Sequence, residues 1–428
     1  MTEQRELTSG DTLELEIGDV AHGGIFVARH ESGRVVFVAD ALPGERARVR
    51  ITEVKKRFAR AETLEVIDVS EHRHDHIWRE ASLEREPENR AGGAEFGHML
   101  PEYGRELKRR VLADALSRFG GFDAADPLVA ETQVVGLPGD DETRGTGWRT
   151  RLTLHVDDQG KIGPYASRSH NIVPVNSLPL AYADIEELAI EQIRKGSHRG
   201  PGRIDFVAPS DHDVRMRPVL DTLTPRDPQL IRECVHGHDF VVAEDGFWQV
   251  HRHAATTLFD AVRAAVDIEK FDPEAGNLDL YGGVGLFGVA LADLGGPDTS
   301  VVSVEATQTA TDLASQNLGR WQYGGAVTGR VDRYLQTLVS DADEYEREAI
   351  RHGTVVLDPP RAGAGKQALD PLTALEPAQL VYVACDPVAF ARDAGLLRER
   401  GYALTRMRAF DLFPNTHHVE VVASFARQ

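Results

Sequence analysis

The sequence predicts an α/β protein in three parts: a small β-barrel over residues 1–72, a linker and central α+β domain over 73–240, and a doubly wound sheet over 241–428. Closely spaced short strands with turn signals indicate the barrel. Apolar strands that alternate with helical stretches indicate a parallel sheet with helices on both faces. The part between them mixes strands and loops.

The composition limits the class of protein. The chain has 428 residues, which is long enough for two or three domains. Its net charge of −20 opposes sequence-blind binding to nucleic acid, because that affinity comes from neutralising phosphates, but a local basic track remains possible. No apolar run approaches the ~20 residues of a membrane span.

The two cysteines, Cys234 and Cys385, are too few for a disulfide framework in a chain of this size. We therefore expect a protein of the reducing cytoplasm, without a membrane partner. The tract from His72 to His76 alternates histidines but offers no closed set of four ligands. We interpret it as a loop and predict no metal site.

The first part reads as five strands with one basic stretch. The strand-like runs cover 12–17, 24–28, 34–38, 46–54 and 62–69. Seven basic residues and Phe58 lie between positions 46 and 60, which suits either RNA binding or a solvated edge strand. A helix from Leu107 to Phe119 carries a second basic face at 105–110.

The last part shows the pattern of a doubly wound sheet. Its apolar runs cover 278–281, 301–305, 354–358 and 380–384, with helices at 306–318 and 388–400. Two runs joined by a short connection, 402–410 and 418–425, predict a closing antiparallel hairpin.

A glycine-rich turn follows the first of these strands. Gly283-x-Gly285-x-x-Gly288 lets the backbone approach a ligand at the end of the strand that carries Asp279 and Tyr281. Glu305 ends the next strand, where a carboxylate binds ribose hydroxyls. NAD and S-adenosylmethionine both fit this arrangement, since the fingerprint alone is a weak signal.

Three further positions offer chemistry at strand ends. Asp358-Pro359-Pro360-Arg361 holds a carboxylate where the chain leaves the sheet, because two prolines cannot donate to a neighbouring strand. Cys385 follows another strand, and either a nucleophile or a buried thiol explains it. Glu420 follows the Asp411-to-His418 stretch and is a candidate general base or a surface acid.

Taken together, these elements resemble the RNA uracil-5-methyltransferase family. The resemblance rests on their order along the chain. The motifs are Gly-Phe-Trp-Gln-Val at 246–250, Asp-Leu-Tyr-Gly-Gly-Val-Gly at 279–285, Asp-Pro-Pro-Arg at 358–361, Val-Tyr-Val-Ala-Cys-Asp-Pro at 381–387, Arg-Asp at 392–393 and Asp-Leu-Phe-Pro-Asn-Thr-His-His-Val-Glu at 411–420. It covers nearly the whole chain, because residues 1–72 resemble the TRAM domain of that family.

The resemblance implies a Rossmann-like class I methyltransferase domain, an OB-like barrel and a reaction. The enzyme would transfer a methyl group from S-adenosylmethionine to carbon 5 of a uridine in tRNA or 23S rRNA, as a monomer. The implied nucleophile is Cys385 and the implied base is Glu420. The implied cofactor-binding residues are Gln249, Tyr281, Gly283, Gly285, Glu305 and Asp358, and the expected substrate contacts are Asp358, Arg361 and Phe247.

Several positions depart from the family pattern. Many members hold a four-iron four-sulfur cluster with four cysteines, and the matching positions here are Arg85, Ala91, Ala94 and Ser177. We therefore predict no iron–sulfur cluster. Four more departures are Gly282 for cysteine, Asp386 for asparagine, His251 for asparagine and Leu286 for a polar residue. Because an acid beside the nucleophile opposes a thiolate, we expect the Asp386 carboxylate to turn away or to bond backbone amides.

Two other classes of function remain open at this point. One is a non-catalytic RNA-binding or chaperone protein that keeps the methyltransferase fold, and the missing cluster cysteines favour it. The other is a NAD-dependent oxidoreductase, which leaves Cys385 and the Asp-Pro-Pro-Arg element without a task.

Overall fold

A computed structural model describes residues 7–196, 198, 200–210, 213–224 and 226–428. Five N-terminal strands form a closed barrel in the order β1-β2-β3-β5-β4. Their bounds are Thr12–Ala21 (β1), Ile25–Arg29 (β2), Val35–Ala39 (β3), Arg46–Val54 (β4) and Phe58–Asp68 (β5). Alternate side chains point inward, and Phe26 and Val49 are fully buried there. The predicted strands and barrel are confirmed.

The middle of the chain contributes residues to all four hydrophobic clusters of the described protein. Its elements are Pro101–Phe119 (α1), Pro127–Ala130 (α2), Val134–Val135 (β6), Arg151–Val156 (β7), Ile162–Gly163 (β8), Ala183–Lys195 (α3), Gly202–Val207 (β9), Arg215–Leu220 (β10), Leu230–Val235 (β11) and His238–Ala243 (β12). Only part of it forms a separate unit, a four-stranded sheet in the order β10-β9-β7-β8 that packs against α3.

The C-terminal part adds helices Ala254–Ala265 (α4), Leu286–Gly295 (α5), Gln308–Leu318 (α6), Val331–Asp341 (α7), Glu344–Arg351 (α8), Gly365–Ala374 (α9) and Pro387–Glu399 (α10). Its strands are Asn277–Leu280 (β13), Val301–Glu305 (β14), Gly324–Thr328 (β15), Thr354–Leu357 (β16), Gln379–Ala384 (β17), Tyr402–Phe410 (β18) and Glu420–Arg427 (β19).

These strands form one eight-stranded sheet in the order β15-β14-β13-β16-β17-β19-β18-β6. Strands β13 to β17 run parallel, and β19 pairs with β17 and β18 in antiparallel fashion, so the predicted hairpin is confirmed. Strand β6 comes from the central segment and pairs with β18 at the edge. Helices α4, α5 and α6 cover one face, and α7, α9, α10 and the central segment's α1 cover the other.

The central segment is therefore shared between neighbours. Leu112 and Leu116 of α1 lie in the same buried cluster as Phe390 and Leu397 of α10, and hairpin β11–β12 packs Phe240 into the cluster on the opposite face. Sequence periodicity identified α1 but not the sheet face that it covers, because the partner helix lies far along the chain. In the described part of the chain, no helix is long and apolar enough to span a lipid bilayer.

Candidate active site

Three predicted cofactor residues lie side by side at the carboxyl edge of the sheet. Strand β13 pairs Leu280 with Val304 on one side and with Leu357 on the other. The next residues of the three strands are Tyr281, Glu305 and Asp358. The Asp358 backbone N–H donates to the Leu280 carbonyl at 3.2 Å, which continues the register past the strand end. The structure thus brings these three side chains to one ligand-binding edge.

The glycine-rich turn is shaped around Asp279. This buried carboxylate accepts from the Gly288 backbone N–H at 2.9 Å and from Ser303 Oγ at 3.1 Å. A side chain at Gly282 would meet Ser303 Oγ at 2.0 Å, and Gly283 and Gly285 have φ of +55° and +87°. The turn therefore requires glycine for space at the first position and for backbone conformation at the other two.

A buried aspartate fixes the loop that follows Asp358. Asp393 of α10 accepts from the hydroxyl of Tyr382 at 2.6 Å and from the backbone N–H of Ala364 at 2.7 Å. Burial, together with the charge of Asp279, raises the pKa of Asp358 to about 7. A raised pKa favours the protonated carboxyl group, which can donate as well as accept a hydrogen bond.

The sheet register brings Cys385 and Glu420 together. Strands β17 and β19 pair Ala384 with Val421, and the next pair in this antiparallel register is Cys385 with Glu420. Burial, then the charges of Glu420 and Asp358, raise the pKa of the Cys385 thiol to about 12. Burial and the charge of Asp358 raise the pKa of Glu420 well above its ordinary value. One thiol and two carboxyl groups therefore lie close enough, in a desolvated region, for the charge of one to shift the pKa of another.

The β1–β2 turn of the barrel closes a small cavity beside Cys385. His22, Gly23 and Gly24 line a cavity of about 130 Å³ together with Cys385. A side chain at Gly24 would lie 2.7 Å from Cβ of His417, so the turn packs directly against the loop that precedes Glu420. The remaining wall residues of the cavity are Val20, Phe96, Lys108, Val111, Arg361, Asp386, Pro387, His417 and His418.

Asp386 is turned away from the thiol, as expected from the sequence. Its Oδ1 accepts from the backbone N–H groups of Val388 and Ala389 at 3.0 and 2.8 Å, which caps helix α10. Its Oδ2 lies 2.8 Å from Nε2 of His22 on the barrel. Burial opposes ionisation of Asp386, but the His22 hydrogen bond and the helix cap lower its pKa overall.

The loop before Glu420 is held by the linker and by α1. Asn415 Nδ2 donates to the carbonyl of Gly145 at 2.7 Å, and the Asn415 carbonyl accepts from the Phe96 backbone N–H at 3.0 Å. His417 Nδ1 lies 3.6 Å from a carboxylate oxygen of Glu95. Burial is the main cause that lowers the pKa of His418 to about 3, and the charges of His417 and Arg361 lower it further. This imidazole is therefore neutral.

Two predicted site residues lie elsewhere. Gln249 lines a separate cavity of about 430 Å³ that shares no wall residue with the pocket at Cys385. Phe247 is 72% exposed, whereas Trp248 is buried against Phe240 with ring centroids 5.3 Å apart. Arg361, in contrast, lies beside Cys385, and its charge opposes the rise of the thiol pKa.

His251 and Leu286, which differ from the family pattern, are both buried in the structure. His251 is buried, stacks on Trp148 and places Nε2 3.1 Å from Oδ1 of Asp140. Leu286 begins α5 and lies in the core of that face.

Two of the four positions that match the family's cluster cysteines, Ala91 and Ser177, contact Glu80. Glu80 accepts from Ser177 Oγ at 3.3 Å, and its carbonyl accepts from the Ala91 backbone N–H at 2.8 Å. Ala91 and Ala94 belong to the hydrophobic core of the central sheet, and Arg85 donates to the Pro174 carbonyl at 3.1 Å. Within the described residues, no group of three or more His, Cys, Asp or Glu side chains could hold a metal ion. That no cluster is present stays a prediction.

The basic tracks foreseen from the sequence are largely neutralised within the protein. Cross-strand pairing sets Arg46 against Asp68 and Arg48 against Glu65. On α1, Glu106 accepts from both Arg109 and Arg110. The remaining paired members are Arg50 with Glu88, Lys55 and Arg60 with Glu53, Arg105 with Asp141 and Lys108 with Asp411. That these tracks guide RNA stays a prediction, and the ion pairs would have to open for phosphates to bind there.

Sequence reasoning missed the residues that the barrel and α1 contribute to the pocket. His22, Gly24 and Lys108 carry no motif, and their roles arise from contacts across more than 300 positions, as in the His22–Asp386 pair. His417 and His418 lie inside the 411–420 motif, but the sequence did not indicate that they contact Glu95 and Arg361.

The fold and this site together define an S-adenosylmethionine-dependent methyltransferase with an RNA-binding barrel. The chain matches the TRAM domain over residues 6–64 and the tRNA (Uracil-5-)-methyltransferase family over residues 235–427. It is 37% identical to a Streptomyces avermitilis protein described as an uncharacterized RNA methyltransferase, over 97% of this chain and 98% of that one. A Bifidobacterium longum protein of the same description is 34% identical, over 97% and 96%.

Among solved structures, the chain is similar to Pyrococcus abyssi tRNA (uracil-54, C5)-methyltransferase in complex with S-adenosyl-L-homocysteine. The TM-score is 0.66 at 21% identity, over 97% of this chain and 100% of that one, which supports the fold. The chain belongs to the RNA uracil-5-methyltransferase family. Family membership implies S-adenosylmethionine rather than NAD as the cofactor.

Proposed function

We propose that this enzyme methylates carbon 5 of a uridine in structured RNA, either tRNA or 23S rRNA, through a covalent cysteine–uracil adduct. The observation that carries the proposal is the register that sets Cys385 opposite Glu420, with Asp358 on the next strand. This chemistry needs one thiolate, one carboxylate base and one polar contact to the uracil edge, and these three residues supply them.

Cys385 acts as the nucleophile. Its sulfur adds to carbon 6 of uracil, and the electrons of the 5,6 double bond move toward the 4-carbonyl to give an enolate. Because the pKa of this thiol is about 12, the thiolate is scarce at neutral pH, and Arg361 is the nearby cation that favours it. S-adenosylmethionine supplies the methyl group, which carbon 5 of the enolate accepts.

Glu420 acts as the base that completes the reaction. After methylation, carbon 5 carries both a methyl group and a proton. Glu420 removes that proton, the 5,6 double bond forms again, and the carbon–sulfur bond breaks to release the Cys385 thiolate. A buried carboxylate with a raised pKa is a stronger base than an exposed one, so its environment suits this step.

The methyl donor binds at the carboxyl edge of β13, β14 and β16. Glu305 suits the ribose, since one carboxylate oxygen accepts from the Thr307 backbone N–H and holds the side chain at the edge. Gly283 has open space where a side chain would lie, which allows a ligand to approach the backbone. Tyr281, Asp358 and Gly285 complete the edge, and Gln249 is proposed from the family resemblance.

RNA reaches the pocket through a cleft of about 770 Å³ between the barrel, the linker and the central sheet. Gly23 and His417 line both the cleft and the pocket at Cys385, so the two cavities adjoin. Arg149 and Arg151 line the cleft, and neither forms a salt bridge within the described part of the chain. Arg149 donates to the Arg151 carbonyl, and Arg151 donates to the carbonyls of Glu244 and Gly246, so these neutral contacts leave both positive charges to attract phosphates at the cleft.

Aromatic rings on the same wall suit unstacked bases. Tyr165 stacks on His155 with centroids 3.5 Å apart, and both line the cleft. Splayed bases in RNA loops stack on such rings. We propose that the domains 1–72, 73–240 and 241–428 contact one RNA and that the enzyme acts as a monomer, as the family resemblance implies. Light scattering that showed a stable dimer would contradict the monomer.

RNA that contains 5-fluorouridine tests the mechanism. Fluorine at carbon 5 cannot leave as a proton, so the wild-type enzyme with S-adenosylmethionine should form a methylated adduct that survives denaturation. Cys385→Ala should form none, and Cys234→Ala is the matched control, because Cys234 is exposed outside the pocket. With ordinary RNA, Glu420→Gln should accumulate the methylated adduct; normal turnover would remove Glu420 from the role of base.

The identity of the RNA is a separate measurement. Mass-spectrometric mapping of 5-methyluridine in tRNA and 23S rRNA, with and without the gene, should show one site lost. Absence of methyl transfer to any RNA from the deletion strain would instead favour a non-catalytic RNA-binding protein.

A further inference from the structure

The contact between the barrel and the nucleophile loop pairs a histidine with the acid beside Cys385. His22 lies in the β1–β2 turn, 364 positions from Asp386, and its Nε2 is 2.8 Å from Asp386 Oδ2. The side chains are 48% and 21% exposed, so the pair lies at the rim of the pocket and is only partly screened by water.

The Asp386 carboxylate makes ionisation of the Cys385 thiol less favourable. Its negative charge is one of the influences that raise the pKa of the Cys385 thiol. Helix α10 cannot cancel that charge alone, because both capping N–H groups are bonded to Oδ1 and leave Oδ2 to His22. The His22 hydrogen bond in turn raises the pKa of the imidazole, which favours a cation facing the carboxylate.

We propose that His22 is a positioning residue that supplies the counter-charge for Asp386, so that the barrel makes thiolate formation at Cys385 easier when it is seated on the catalytic domain. The inference rests on the proposed function and adds a task for the barrel beyond holding RNA. The charge of His22 would act on the Cys385 thiol only while the β1–β2 turn contacts Asp386.

Other charged groups around His22 do not replace it. Lys108 is bonded to Asp411, and Asp19 on the same strand as the turn faces Arg110 of α1 at 3.5 Å. His417 lies next to Glu95 at 3.6 Å. Arg361 and His418 also line the pocket, and their nitrogens approach each other at 3.4 Å rather than Asp386. Of these groups, His22 is the one whose hydrogen bond reaches Oδ2.

The test is the rate of adduct formation with 5-fluorouridine RNA and S-adenosylmethionine, measured in single turnover between pH 6 and pH 10. At pH 7.5, His22→Ala should slow the rate about 3- to 10-fold, which corresponds to a thiol pKa higher by about half to one unit. The loss should be largest at the acidic end of the range and should shrink as the pH rises through the pKa of His22, because the wild-type imidazole then loses its own charge. His22→Lys, which keeps a positive charge, should retain most of the rate.

A double-mutant cycle separates charge from simple packing. In the Asp386→Asn background the neutral amide still caps the helix, so removing His22 should change the rate less than twofold. His30→Ala is the matched control, because His30 is an exposed barrel histidine bonded to Ser32 within its own turn. Calorimetry of S-adenosylmethionine binding checks that each variant is folded.

The outcomes are distinct. An unchanged pH profile for His22→Ala overturns the inference, and so does a loss that is equal at every pH and persists in the Asp386→Asn background. If the wild-type enzyme itself forms no adduct, the proposed function fails, and the inference fails with it.

Discussion

Lys108 Nζ lies 2.5 Å from Asp411 Oδ1 in an almost fully buried ion pair that joins helix α1 to the loop leading to Glu420. The same ammonium group donates to the Phe413 carbonyl at 3.2 Å. The pair therefore ties the central segment to the motif that carries the general base, and it does so where water cannot replace either partner.

Removing one partner of this pair should be costly. Lys108→Met leaves the Asp411 carboxylate buried without its cation, and we expect a loss of about 3–5 kcal/mol in the free energy of unfolding. Lys108→Met with Asp411→Leu should recover much of that loss, because no charge is then left buried. Urea denaturation measures both, with Lys195→Met as the control for an exposed lysine paired on its own helix. Equal stability of the single and double variants would contradict this account.

Gly282→Ala should damage the methyl-donor site. The added Cβ would lie 2.0 Å from Ser303 Oγ and 2.5 Å from Asp279 Oδ2, and overpacking of this kind costs about 1–3 kcal/mol. We expect weaker S-adenosylmethionine binding by calorimetry and partial recovery with Ser303→Ala. Gly325→Ala is the control, since nothing lies within 4 Å of a side chain there and its φ is ordinary. Full affinity in Gly282→Ala would mean that the turn adapts.

The rate of adduct formation should rise with pH. The pKa of Cys385 is raised to about 12, and this group attacks uracil in its deprotonated form. While thiol ionisation limits the rate, each pH unit above neutrality should increase it up to about tenfold. Rapid-quench experiments between pH 6 and pH 10 measure this dependence. A flat profile would show that the bound RNA sets the ionisation of the thiol.

Glu420→Gln should stabilise the fold at alkaline pH while it blocks turnover. A carboxyl group whose pKa is raised by folding favours the folded state at pH values below its unfolded pKa, and that contribution is lost as pH rises through the folded pKa. The glutamine variant avoids this loss, so its Tm at pH 8 should exceed that of the wild type by about 2–4 °C for each ~1 kcal/mol. At pH 4 the two should agree more closely. Glu399→Gln, at an exposed carboxylate, should show no such difference.

Protein purified under anaerobic conditions should contain no stoichiometric iron. The positions that would hold a cluster carry Arg85, Ala91, Ala94 and Ser177, and the space around them is occupied by apolar side chains and by hydrogen bonds to Glu80. Elemental analysis and the visible absorption spectrum measure the metal content. Four iron atoms per chain would overturn the prediction and imply ligands of another type.

The sequence predicted the elements whose signals are local. Apolar runs, glycine turns and the two prolines after Asp358 act within a few residues, so the barrel strands, the parallel strands β13, β14, β16 and β17 and the edge that carries Tyr281 and Glu305 were predictable. The parallel edge strand β15 was not predicted. Short β6 was not predicted, because two residues carry too little pattern to identify an edge strand.

The electrostatic partners were not predictable for a different reason. Lys108 reads as part of a basic helix face, and it is buried only because Asp411, 303 positions away, receives it. The acids that neutralise Arg46 and Arg48 are cross-strand neighbours, which depend on the register of β4 with β5. Charge along the chain therefore overstated the free charge on the surface.

The shared architecture limits how the molecule can be divided. A fragment starting at residue 241 would lack α1 and β6, and so would expose the open edge of β18 and the apolar surface of α10 that α1 covers. Unpaired strand edges and bare apolar faces promote self-association. Truncation studies that seek an autonomous catalytic core should therefore begin before Pro101, and a soluble, active product from a later start would indicate that this layer is dispensable.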